Sequence, residues 1–179
     1  MGMMFLKTGP QDLPFRKDAY LTICVGYVVV GTACLMMIGN NLMLSLLQVC
    51  ISGLFVAAFC SIVLRIGKKR ERFIQTFMAL LATGILFDVF AVGPLSVLFP
   101  FLQEISQMMV QGADPMTLDA EQVPKVPAMP LMAVMFLMLW QLMVMGHIFR
   151  HALDASMSAG VAVASAYPAI LLLLTMLGR

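Results

Sequence analysis

Asp88 stands well inside an apolar run, flanked by Leu81 to Phe87 on one side and Val89 and Phe90 on the other. An ionisable side chain inside a membrane span is costly and is a functional candidate by default. Counting fifteen residues from Phe73, at ~1.5 Å each, puts it about 22 Å into a helix, in the outer third of a bilayer. Gln48 lies six residues inside the run that opens at Leu42, about 9 Å down by the same rise. The two are predicted at similar depth, within hydrogen-bonding reach. Beyond Asp88, Gly93, Pro94 and Pro100 predict an interruption of the helix. A broken helix beside an acid is the architecture of transporter ion sites. The bland alternatives are a polar clamp between helices or a carboxylate that reaches water at a kink.

His147, Arg150, His151 and Asp154 form a second constellation. On a continuous helix His147, His151 and Asp154 share one face, a spacing that can hold a metal. It superficially resembles the histidine boxes of membrane desaturases, which need more histidines than the two present. The expectation is therefore no metal and no cofactor. The cluster reads as a helix end, where cations suit the C-terminal dipole and Asp154 pairs with Arg150. Cys24, Cys34, Cys50 and Cys60 all fall in apolar runs without CxxC spacing, so they read as small packing residues. The methionines from Met129 to Met145 read as flexible gap fillers rather than a copper site.

The elements that must position these residues follow from composition. The 179 residues are 61% hydrophobic and 11% charged, and mean hydropathy is +0.97. A soluble domain carries about 25% charged residues, so lipid must cover this surface. Five apolar runs, 20–38, 42–64, 73–102 with its interruption near Gly93-Pro94, 130–149 and 159–177, predict an all-α polytopic membrane bundle of about five transmembrane helices. Alternating polarity, the mark of a β-barrel, is absent from the runs.

Nine of the eleven basic residues fall on one side of such a bundle: Lys7, Arg16, Lys17, Arg65, Lys68, Lys69, Arg70, Arg72 and Arg150. The positive-inside rule then predicts a cytoplasmic N-terminus and an outer C-terminus. Arg65, Lys68, Lys69, Arg70 and Arg72 form one short basic loop. Its first role is orientation, and contact with anionic lipid headgroups is its second. Residues 1–19 form an N-terminal segment without a secretory apolar core; Phe5, Leu6, Leu13 and Phe15 suit an interfacial lie. Gly39-Asn40-Asn41 predicts a tight turn. The long connection Gln103 to Met129, with Pro115, Pro124 and Pro127, is expected outside as a surface for a partner. Ser156, Gly160, Ala162 and Ala166, with Gly26 and Gly31, give small-residue spacings that suit close packing, within the bundle or between subunits.

Three features carry a family resemblance: Gln11-Asp12-Leu13-Pro14-Phe15 ahead of the first span, the five-run layout, and the stretch Trp140 to Asp154 followed by Ser158 to Leu174. With these the whole chain resembles a compact Yip1-type membrane protein in the bacterial style of that family. The resemblance implies a five-helix bundle with a cytoplasmic N-terminus in the bacterial inner membrane. Eukaryotic relatives act in vesicle traffic and contact small GTPases. With the first apolar run opening at Tyr20, that partner role is not expected here, and the resemblance carries over no catalytic residues. Nucleotide loops, nucleophile elbows and a nucleic-acid charge signature are absent. The expected function is a non-enzymatic membrane scaffold or accessory subunit, with lipids and other subunits or further copies as partners. The alternative is a small transporter, channel or proton-linked carrier using Asp88.

Overall fold

Lipid offers no hydrogen bonds to an exposed backbone, so each apolar run must satisfy its own amides, and each does so as a helix. A computed structural model describes residues 17–110 and 125–177 of the chain. The helices are α1 (Lys17–Met37), α2 (Leu42–Ile66), α3 (Phe73–Val110), α4 (Ala128–Leu153) and α5 (Met157–Leu177), with a short 3-10 turn at Arg70–Arg72. No strand occurs among the described residues. Four helices are long and apolar enough to cross a membrane, and α5 carries a shorter apolar stretch, Met157–Leu173. The protein is thus a helical membrane bundle. The interfacial reading of Phe5, Leu6, Leu13 and Phe15, and most of the long connection before α4, lie outside the described residues.

The predicted interruption of the third run does not occur. α3 continues for 38 residues with Pro94 and Pro100 inside it. Each proline removes one amide donor and frees one carbonyl a turn back. A full break in hydrocarbon would strand several more groups, so continuing the helix is the cheaper outcome. Ser96 Oγ also donates to the Gly93 carbonyl at 2.8 Å. The helix runs past the expected end at Leu102, through the polar stretch Gln103 to Gln107. Its length of about 57 Å exceeds a hydrocarbon core of ~30 Å, so one end stands clear of the lipid.

α1 and α2 are joined by the expected turn. Gly39 takes a φ of +109°, which a side chain would resist. Asn41 then caps α2, its side chain accepting from the Leu44 amide at 2.8 Å. α1 packs against α2 and α3, and α4 lies between α3 and α5. Tyr167 of α5 reaches Phe55 and Phe59 of α2, at ring distances of 5.3 and 5.5 Å. Phe59 meets Phe149 of α4 edge-on at 5.7 Å. Buried Leu64, Phe77, Ile148 and Ala152 complete a core near the Phe73 end of the bundle. The opposite half is looser: Met129, Met132, Phe136 and Leu139 of α4 are all exposed to the surroundings.

The small-residue spacings belong largely to packing inside the bundle. A Cβ on Gly160 would strike the Gly146 carbonyl and come within 2.9 Å of the Arg150 amide. A Cβ on Gly146 would come within 2.7 Å of the Val161 side chain. α4 and α5 therefore cross backbone against backbone. Between apolar helices in lipid the attraction is mainly close van der Waals packing, which this approach maximises.

Candidate functional site: a polar interior around Asp88

Two cavities meet at Asp88. The first, about 180 Å³, is lined by Cys34, Leu35 and Ile38 of α1, Gln48 of α2, and Ala91 and Leu95 of α3 among others. It extends from the acid toward the α1–α2 turn. The second, about 150 Å³, is lined by Val56, Leu80, Thr83, Gln141, Met145 and Tyr167 among others. It extends the opposite way along the bundle. Tyr27, Ser52 and Asp88 line both. Below the second cavity, buried Phe59, Phe77 and Phe149 close the interior.

Glycines shape the junction. The Tyr27 ring lies between Gly53 of α2 and Gly84 of α3, where an added Cβ would stand 3.4 Å from the ring on either side. That lets the phenol cross the bundle and donate to Ser52 Oγ at 3.1 Å. An added Cβ on Gly31 would lie 3.6 Å from Asp88 Oδ2 and 3.2 Å from Val49. The absent side chain leaves the carboxylate room on its α1 side. Asp88 and Gln48 share the first cavity as their depths predict, but no hydrogen bond joins them among the described residues. Gln48 sits exposed at the rim.

The sequence does not mark Tyr27, Ser52 and Gln141 as a group, because each is a lone polar residue in an apolar run. One signal was available: Gln48 and Ser52 are one helical turn apart, which sets both on one face of α2.

The second constellation is arranged differently from expectation. His147 is 2% exposed, and its ring lies 4.5 Å from that of His151. Asp154 does not continue their face. α4 ends at Leu153, and Asp154 takes a left-handed conformation, φ 53° and ψ 42°, which Asp tolerates better than most residues. Its carboxylate turns away from Arg150 to the α2–α3 connection. There Arg72 Nη1 donates to Asp154 Oδ1 at 2.7 Å, and Lys69 Nζ lies 2.7 Å from Oδ2. Arg72 also donates to the carbonyls of His151 at 2.8 Å and Ala152 at 3.3 Å, answering the unpaired acceptors of a helix end. The expected Arg150–Asp154 pair is replaced by this clasp. No group of three metal-ligating side chains is assembled among the described residues.

Two of the five basic residues expected at lipid headgroups, Lys69 and Arg72, are thus engaged within the protein. The clasp also fixes geometry: the α2–α3 and α4–α5 connections share one end of the bundle. Tyr20, near the start of α1, stacks obliquely on Phe77 near the start of α3, at 6.4 Å, so α1 begins at that end too. Among the described residues Arg65, Lys68, Lys69, Arg70, Arg72 and Arg150 therefore collect at one end, as their spacing predicts; Lys7 and Arg16 lie outside the described residues.

Arg72 first, then Lys69, hold the Asp154 carboxyl well below the usual range, at about 2. A depressed carboxylate stabilises the fold above its ordinary value of 3.8 and loses that contribution as pH falls from there toward about 2. In thermal melts Asp154→Asn will be less stable than wild type at neutral pH. The gap will narrow through that acid window. It will be modest, because the pair is exposed and screened. A gap that is constant with pH would refute the clasp's electrostatic role.

No family model, curated protein or solved structure matches this chain, so the site stands on its own geometry.

Proposed function

We propose that the protein is a small membrane carrier in which Asp88 binds a proton or a monovalent cation within the membrane. The observation that supports this is the sharing of Asp88 by both cavities. A carboxylate at such a junction can exchange an ion with one cavity or the other as Tyr27 and Ser52 shift. The cavity toward the α1–α2 turn supplies an approach from that end, and the aromatic core closes the other. That is one face of an alternating-access cycle. By the positive-inside rule the closed end is the cytoplasmic one, the N-terminus lies there too, and the host membrane is a bacterial inner membrane. The Yip1-type resemblance belongs to the same proposal.

Purified protein in liposomes holding a pH-sensitive dye tests it, with a membrane potential imposed by potassium and valinomycin. Wild type will carry protons, or sodium in matched runs with a sodium-sensitive dye, above protein-free vesicles. Asp88→Asn will fall to the protein-free rate while keeping its helical content. Equal flux in wild type and Asp88→Asn would sink the carrier reading. The accessory-subunit reading would then stand, supported by the exposed Met129, Met132, Phe136 and Leu139 face of α4.

A further inference from the structure

The α2–α3 connection sorts its basic residues into two groups, and one group surrounds a cavity. α2 is closed at Gly67, whose amide donates to the Val63 carbonyl at 3.0 Å. Lys68 then takes a left-handed φ of 56°, and the Lys69 amide returns to the Leu64 carbonyl at 2.9 Å. This reversal carries Lys69 and Arg72 toward Asp154. It leaves Arg65 and Arg70 on another side, both exposed. They line a cavity of about 240 Å³ with Ser61, Leu64 and Phe73. Neither guanidinium forms an ion pair among the described residues. The nearest acid in sequence, Glu71, acts on Arg72.

We propose that Arg65, Arg70 and Ser61 bind one phosphodiester of an anionic membrane lipid. Two guanidinium forks with one hydroxyl match the oxygens of a phosphate diester. The rest of the surface favours lipid over free phosphate. Ser61 lies one turn deeper in α2 than Arg65, about 6 Å toward the membrane interior. Leu64 and Phe73 form apolar walls. Ile62 and Ile66, 57% and 78% exposed, form an adjacent ridge for acyl chains. The site lies apart from Asp88 and is independent of the carrier reading.

Native mass spectrometry of detergent-purified protein titrated with short-chain phosphatidylglycerol or phosphatidylcholine tests it. Wild type will retain phosphatidylglycerol selectively. Arg65→Gln and Arg70→Gln will each weaken it about fivefold, and the double variant about 25-fold, from about 1 kcal/mol per basic residue at a membrane surface. Lys68→Gln, in the same loop but outside the cavity, will stay within about twofold of wild type. These side chains are exposed, and helical content in phosphatidylcholine micelles will confirm folding; the single variants decide should the double one fail. Equal losses in Lys68→Gln and Arg65→Gln would reduce the effect to diffuse surface charge and overturn the site. Displacement of the lipid by inorganic phosphate at equal concentration would overturn the lipid assignment.

Discussion

Gly160→Ala will destabilise this bundle, while Gly93→Ala will change it little. Both glycines sit inside helices, where alanine ordinarily gains about 0.5–1 kcal/mol. Their surroundings differ. An added Cβ at Gly93 meets nothing within 4 Å beyond its chain neighbours and its own helix backbone, and crowding by the ring of Pro94 offsets the alanine gain. At Gly160 it meets the Gly146 carbonyl, the Arg150 amide at 2.9 Å and the Arg150 Cβ at 3.0 Å. Two of these three are backbone atoms of α4, so no rotamer change relieves the overlap. Relief requires α4 and α5 to separate. Overpacking costs about 1–3 kcal/mol, and neighbours that cannot yield push it to the upper end. The clash outweighs the helix-propensity gain by roughly 1–2 kcal/mol.

Gly160→Leu magnifies the effect until the α4–α5 hairpin cannot close. That loss propagates. The crossing brings Tyr167 against Phe55 and Phe59, and Tyr167 walls the second cavity. Thermal or SDS-titrated unfolding in detergent reads the series. Gly160→Ala matching or exceeding wild type would show that the helices do not approach so closely, and the assignment of these small residues to intramolecular packing would fall.

Long-range features were legible in the sequence only where they depend on composition. The spacing of basic residues between apolar runs predicted that the starts of α1 and α3 and the end of α4 share one end of the bundle. The clasp and the Tyr20–Phe77 contact place them there. The partner of Asp154 was not legible. Helical periodicity offered Arg150 four residues earlier, but the left-handed turn at Asp154 breaks that periodicity. The partner that replaces it lies 82 residues away. The path of α3 through Pro94 was also hidden, because proline chemistry alone argues for a break. The decisive term is the solvent: hydrocarbon penalises a broken helix more than water does. Asp88 was legible as an acid out of place. Its neighbours were not, since Tyr27 reaches Ser52 only because Gly53 and Gly84 make room from two other helices.

Asp88→Leu will raise the thermal stability of the protein while abolishing ion movement, and this pair of outcomes separates the two readings of the acid. If Asp88 were a polar clamp, its carboxylate would hold donors on neighbouring helices, and Leu would strand them. No hydrogen bond to Asp88 forms among the described residues. Tyr27 donates to Ser52 instead, and Gln48 faces the same cavity without bonding the acid. A half-buried polar group without a protein partner carries a desolvation cost of about 1–3 kcal/mol. Water in the cavities offsets part of it, so removing the group gains about 1 kcal/mol. The wall it joins already holds Leu95, Ala91 and Val49, and Leu adds contact there. An intramembrane acid held at a cost to stability is a functional candidate by default. Unfolding curves for wild type, Asp88→Asn and Asp88→Leu, beside their flux rates, give the test. Loss of stability in Asp88→Leu together with unchanged flux in Asp88→Asn would make Asp88 a structural residue and remove the carrier's ion site.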